Sequence, residues 1–249
     1  MRKRLGVILV VILLCACSQA QVKNYKFKVV KDYPHDMAAY TQGLFFHGGT
    51  LYETTGQYGT SSIRTVDLKT GKPIQNKKLS SKYFAEGSVI MGDYLYILTW
   101  TNKVAFVYDA KTLEYKKTIS YPREGWGLTT DGKQLIASDG SANLYFMDEK
   151  FGLNRKLQVT MNGRPLKNLN ELEWINGKIW ANVYLTDTIV IINPSNGKVE
   201  GSLDCTGLLP DELWTSATDV LNGIAVDADG KIYVTGKNWP KLYQIELLK

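Results

Sequence analysis

Short apolar runs recur along the chain, separated by Gly, Asp and Asn, and one arrangement of them occurs five times. Each copy has a small residue, an apolar pair, a tight turn, an apolar strand and then Gly or a large aromatic. The copies are "TQGLFFHGGTLYETTG" (41–56), "AEGSVIMGDYLYILTW" (85–100), "GWGLTTDGKQLIASDG" (125–140), "LNELEWINGKIWANVY" (169–184) and "LNGIAVDADGKIYVTG" (221–236). Anchored on Leu51, Leu95, Leu135, Ile179 and Ile232, they lie 44, 40, 44 and 53 residues apart. The turns "HGG", "MGD", "DG" and "NG" mark each copy as a hairpin, because Gly and Asn accept the positive φ that tight hairpin loops require.

A second strand–turn–strand unit follows four of the copies: "SSIRTVDLKTGKPIQ", "NKVAFVYDAKTLEYK", "ANLYFMDEKFGLNRK" and "DTIVIINPSNGKVEG". The fifth copy is followed by one strand only, in "PKLYQIELLK". The strand it lacks is available near the other end of the chain, in "YKFKVVKDYP" (25–34). Five such units, with the last sheet completed from the N-terminal side, predict an all-β fold: a five-bladed β-propeller with four antiparallel strands per blade, one domain over 25–249. In the alternative, a sandwich or open barrel, the repeat would be accidental. The widest spacing holds "CTGLLPDELWTSATD" (205–219), a long loop with room for one helical turn.

In a propeller the first strand of each blade lines the axis, so the residues opening those strands face one another. They are Gln42, Glu86, Trp126, Asn170 and Asn222, and the ends of the second strands add Trp100, Asp139, Tyr184 and Lys237. Strands ordinarily favour Val, Ile and Thr; this set suits a pocket for a small polar ligand. Plainer readings stand beside it. Asn170 and Asn222 fit turns, Glu86 a solvated loop, Lys237 a long-stemmed surface position, and one of Trp100, Trp126 and Trp239 is expected in the core.

The first residues change the picture of location. "MRKR" is a basic segment and "LGVILVVILL" an apolar run of ten, too short to span a bilayer core of roughly 30 Å as a mature helix; it reads as a signal peptide over 1–16. Leu14-Cys15-Ala16-Cys17 resembles a bacterial lipobox, which makes Cys17 the expected lipidation site, followed by a tether over 17–24. Ordinary cleavage near "SQAQ" is the alternative. The expected location is the bacterial cell envelope, periplasm-facing or otherwise extracytoplasmic, with the membrane contacted through the lipid. Of the formal net charge of +6, Arg2, Lys3 and Arg4 carry three, leaving +3. No Lys/Arg-rich run remains, so nucleic acid is not an expected partner. Cys205 is then a lone thiol, read as a packed core residue.

"YTQGL", "ETTGQYGTSSI", "EGWGLTTDG", "SDGSANL", "LNELEWINGKIWANVY", "VLNGIA" and "VTGKNWP" together resemble the plant and bacterial type of glutaminyl-peptide cyclotransferase, in order along nearly the whole chain. The resemblance implies a five-bladed propeller that converts N-terminal glutamine of peptides to pyroglutamate and releases ammonia. It implies Glu86 as proton shuttle, Asn170 and Lys237 as stabilisers of the tetrahedral intermediate, and Gln42 as a hydrogen-bonding partner of the substrate. Trp100, Trp126, Phe84 and Tyr184 would wall the pocket, with Tyr40 at its rim. Tyr184 stands where plant members tend to carry Trp, and Tyr40 where many have Phe. Glu171 and Glu173 are read as structural. His35 and His47, the two histidines, lack ligand spacing, so no metal or other cofactor is expected. A structural Ca²⁺ in the channel has no supporting loop pattern. A monomer is expected. Two other classes compete: a non-catalytic envelope scaffold, and a metal-dependent lactonase-like hydrolase built on Glu86, Asn170, Asn222 and Asp139.

Overall fold

In the computed structural model, which describes residues 21–248, the repeats fold into sheets whose inner strands touch in a closed ring. The signal segment and Cys17 lie outside the described residues. After β1 (Lys23–Tyr25) and β2 (Phe27–Pro34), blade one contains β3 (Thr41–His47), β4 (Thr50–Thr55), β5 (Ser62–Val66) and β6 (Pro73–Lys78). Blade two contains β7 (Ala85–Met91), β8 (Tyr94–Thr99), β9 (Val104–Asp109) and β10 (Tyr115–Ser120). Blade three has β11 (Leu128–Thr130), β12 (Leu135–Ser138), β13 (Asn143–Met147) and β14 (Leu153–Gln158). A small hairpin, β15 (Thr160–Met161) with β16 (Arg164–Pro165), precedes blade four: β17 (Leu169–Ile175), β18 (Lys178–Val183), β19 (Thr188–Ile192) and β20 (Val199–Asp204). Blade five has β21 (Leu221–Val226), β22 (Ile232–Gly236) and β23 (Lys241–Leu247). Its fourth strand is β2, antiparallel to β23, so the ring closes through the segment expected to do so. The 205–219 loop holds a single 3-10 turn, Asp211–Leu213.

Two features depart from the sequence reading. The β15–β16 hairpin was not expected. Residues 23 and 24, placed in a tether, instead pair in parallel with β20. The reason is local: Val22 is buried against blades three and four, and Tyr25 packs over Gly201.

Alternation along each strand is divided between two neighbours. In β8, Leu95 and Ile97 pack toward blade one, while Tyr96 and Leu98 pack toward blade three. In β19, Ile189 and Ile191 face blade five, and Val190 and Ile192 face blade three. Both faces are buried, so the runs are continuously apolar although side chains still alternate with period two. The core is thus five layers, one between each pair of adjacent blades. The outer strands are polar and exposed, as in "PIQNKK" of β6 and "YKKTIS" of β10. Lysines there discourage edge-to-edge pairing with another chain.

Candidate active site

At one mouth of the channel, four of the five inner strands slip register against their hairpin partners. The shifts fall between Thr41 and Gly43, Ala85 and Ser88, Leu169 and Leu172, and Leu221 and Ile224. Inside them sit Gln42, Glu86, Asn170 and Asn222. A bulge frees a residue from the ladder and re-aims its side chain, which turns these polar groups toward the axis. Adjacent strands also approach closely here. Gly87 N donates to Trp126 O at 2.7 Å; Gly127 N donates to Ser138 Oγ, and Ser138 Oγ to Asn170 O, each at 2.7 Å. A Cβ on Gly127 would lie 2.0 Å from Asn170 O, so only glycine lets blades three and four meet at this point.

These strand ends enclose a pocket of about 360 Å³. It brings together Glu86, Asn170 and Lys237 from blades two, four and five. Gln42, Tyr40, Phe84, Trp100, Trp126 and Tyr184 also line it, and Gln57 and Tyr58 complete it. Glu86 is buried and its Oε1 accepts a hydrogen bond from Gln42 Nε2 at 3.0 Å. Gln42 Oε1 accepts in turn from Asn222 Nδ2 at 3.2 Å, and that nitrogen also donates to Thr41 O at 2.9 Å. Asn222 therefore lies beneath the pocket and orients Gln42, a role apart from both the turn and the direct-contact readings. Asn170 Oδ1 is buried with no hydrogen-bond partner, an open acceptor on the pocket wall.

Lys237 is buried with its Nζ 4.8 Å from the Tyr40 ring centroid and 5.0 Å from that of Tyr184. Among the described residues no carboxylate is within ion-pairing distance of it. Burial raises the Glu86 carboxyl well above the usual carboxylate range; Lys237 pulls the other way and Glu124 adds to the rise. Burial lowers the Lys237 ammonium, against the attraction of Glu86 and Asp219. Desolvation thus brings a base and an acid toward one another on the pH scale.

The walls are aromatic. Phe84 meets Tyr40, Tyr58 and Trp100 edge to face at 6.1, 5.5 and 5.6 Å, and Trp126 meets Tyr184 at 5.4 Å. Gly140, at φ 75°, leaves room for the Trp126 indole, whose Cζ2 would lie 2.6 Å from any Cβ there. Tyr40 Oη donates to Asp219 Oδ2 at 2.9 Å, and the Asp219 and Val220 backbones pair with Lys237.

The remaining candidates sit elsewhere. Trp239 is the core tryptophan. Asp139 accepts from Ser141 and from Tyr145 Oη, outside the pocket, so the four-residue ring needed by a propeller metal hydrolase is not assembled. Among the described residues no three His, Cys, Asp or Glu groups are placed to hold a metal ion. His35 is buried against Glu53 and Trp239 O. Glu171 and Glu173 plug the channel: Glu171 accepts from Leu44 N and Ile224 N, and Glu173 from Val226 N. Burial pushes Glu171 well above the usual range, with Glu173 adding to it, and Glu173 to about 8. Cys205 is buried, and burial pushes its thiol up to about 12. Sequence reasoning missed Gln57, Tyr58, Glu124 and Asp219. Tyr58 had a signal, since it lies between Gly56 and Gly59 in a segment already singled out; Asp219 had none beyond its place in a loop.

Comparison with known proteins agrees with this geometry. The family model described as glutamine cyclotransferase matches residues 7–247. A glutaminyl-peptide cyclotransferase of Arabidopsis thaliana is 44% identical over 228 residues, 89% of this chain and 71% of that protein. The crystal structure of Myxococcus xanthus glutaminyl cyclase superposes with a TM-score of 0.86 at 35% identity, over 91% of this chain and 98% of that one. The chain belongs to the glutamine cyclotransferase family.

Proposed function

We propose that the pocket cyclises N-terminal glutamine of peptides to pyroglutamate. The observation that carries this reading is the meeting of one buried carboxylate, one amide whose oxygen has no partner and one desolvated ammonium inside aromatic walls, in a member of this family. The substrate's α-amine attacks its own side-chain amide carbon. A C–N bond forms, the carbonyl oxygen gains negative charge, and the bond to the amide nitrogen then breaks to release ammonia. The reaction is intramolecular, so the pocket's first task is to hold one folded conformer of one residue against the rings of Trp100, Trp126, Phe84 and Tyr184. Glu86 takes a proton from the attacking amine and returns it to the leaving nitrogen. Its raised pKa makes it a stronger base than an ordinary carboxylate, which suits both transfers. Lys237 and the amide nitrogen of Asn170 donate to the oxygen in the tetrahedral state, while Asn170 Oδ1 is free to accept from the substrate. Gln42 holds the Glu86 carboxylate in place. These roles call on no metal or other cofactor.

The same reading places the chain outside the cytoplasm as a monomer, anchored through lipidated Cys17 after loss of residues 1–16. The basic and apolar N-terminal segments support it. Membrane fractionation of Cys17→Ser tests the anchor. Mass spectrometry of a Gln-Ala peptide incubated with the protein tests the chemistry. Loss of one ammonia per peptide is expected, with Glu86→Gln slower by about 10²–10⁴-fold. Full turnover by folded Glu86→Gln would end the proton-shuttle assignment. An unchanged peptide would return the protein to the scaffold class.

A further inference from the structure

Trp100 directly follows β8 of blade two and Trp126 precedes β11 of blade three, yet both indoles bind one atom. Trp100 Nε1 and Trp126 Nε1 each donate to Glu124 Oε2 at 3.1 Å. Glu124 lies in the connection between the two blades and is exposed. Its other oxygen has no hydrogen-bond partner, and no cation pairs with it among the described residues. Arg123, its neighbour in sequence, is stacked instead on the Tyr121 and Tyr145 rings. The pocket of about 360 Å³ is of a size for one residue, and Trp100, 38% exposed, stands at its opening. Gln57, Tyr58 and Trp100 are the exposed members of the lining, so a peptide that leaves on their side passes Trp100 and the carboxylate bonded to it.

We propose that Glu124 is a positioning and specificity residue: one oxygen clamps the two indole walls together, and the other favours peptides with a basic second residue over an acidic one. The proposal rests on the cyclase reading of the pocket and adds a substrate preference to it. An indole N–H bonded to a carboxylate is held more firmly than one bonded to water, because the acceptor is charged. Two such bonds on one atom couple rings that otherwise belong to separate blades. The free oxygen adds a charge at the mouth, where solvent weakens its effect. An exposed pair of unit charges is worth little, but exchanging Lys for Glu reverses the sign and doubles the contrast. A selectivity on the order of fivefold to tenfold follows. The charge also reaches the shuttle, since Glu124 contributes to the upward shift of Glu86.

The test uses Glu124→Gln and Glu124→Ala in the full chain. Gln keeps an oxygen acceptor for the indoles and removes the charge; Ala removes both. Two measurements are made: the ratio of kcat/KM for Gln-Lys-Ala over Gln-Glu-Ala, and the ¹⁵N–¹H resonances of the two indoles. The expected wild-type ratio is about fivefold to tenfold at low salt, falling toward one in 0.5 M NaCl, where the Debye length is roughly a seventh of its value at 0.01 M. Glu124→Gln should bring it to about one at all salt concentrations. Glu124→Ala should shift both indole resonances together and raise KM, with Gln restoring much of each. A wild-type ratio near one, or one that survives in Glu124→Gln, would overturn the preference. Indole resonances unmoved in Glu124→Ala would overturn the clamp. If the wild type cyclises no glutaminyl peptide while the resonances still shift together, the cyclase reading and the substrate preference fall and the clamp stands.

Discussion

Replacing Lys237 by Met separates two effects that a buried cation combines. Met keeps much of the apolar stem and removes the ammonium. In the folded protein that ammonium lies between Tyr40 and Tyr184, and burial lowers its pKa despite the attraction of Glu86 and Asp219. A lysine with a folded pKa below its unfolded value opposes folding while it is charged. The cost is full below the folded pKa and vanishes as pH rises past the unfolded value. Exchanging buried ionic groups for apolar ones of similar volume is often neutral or stabilising by about 1–4 kcal/mol. Loss of two ring contacts to the cation offsets roughly 1–2 kcal/mol of this. Without Lys237 the Glu86 carboxyl rises further, which lessens the cost of leaving it without a cation. Lys237→Met should therefore change stability by about −1 to +3 kcal/mol, a melting temperature between about 4 °C lower and about 10 °C higher for a domain of this size. Turnover should fall by about 10²–10³, as when one oxyanion donor is removed. Ammonia release under saturating peptide and melting by circular dichroism measure the two. Turnover within about threefold of wild type would refute the stabilising role. Melting lowered by more than about 5 °C would show the ammonium to be a structural prop.

Three further outcomes follow from the same geometry. The kcat–pH profile should be a bell narrower than ordinary groups would give, with an acid limb above the usual carboxylate range from Glu86 and an alkaline limb below 10.5 from Lys237; an acid limb near 4.5 that persists in Glu86→Gln would contradict it. Glu53 takes hydrogen bonds from His35, Thr41 and Arg64, and although burial pushes its carboxyl up, His35 and Arg64 outweigh this and hold it at about 2. Its contribution of about 3 kcal/mol is present above the unfolded value of 4.5 and lost as pH falls toward about 2. Glu53→Gln should thus melt about 6–12 °C lower at neutral pH, and a change under 2 °C would count against the network. Tyr40→Phe removes the bond to Asp219 while keeping the ring against Lys237; melting about 2–6 °C lower with turnover kept within about tenfold is expected, and abolished turnover would mean that the hydroxyl takes part in the chemistry.

Blade architecture was legible because each hairpin carries its own turn chemistry and period-two pattern, and because the fifth unit visibly lacked a strand that residues 25–34 could supply. The pocket was legible through position: residues opening the inner strands must converge once the sheets form a ring. What sequence position could not convey was direction. Gln42 and Asn222 occupy equivalent bulges, yet one lines the pocket and the other supports it from below. Asp139 ends its strand as Tyr184 does, but Ser141 and Tyr145 draw its carboxylate away. Glu124 reads as an ordinary loop carboxylate until both indoles are seen to share it. The β15–β16 hairpin is too short to show a period, and Asp219 gains its role only when its loop folds back onto Tyr40.

The pairing of β2 with β23 places segments from opposite ends of the described chain in one blade. β2 precedes all five blades in the sequence, and it finds its antiparallel partner only when β23, the last of the described strands, is available. The seam stays open until then, and Lys237 cannot settle between Tyr40 and Tyr184 before it shuts. A nascent or C-terminally shortened chain therefore holds an incomplete catalytic centre, and chemistry on amino termini begins only with the finished ring.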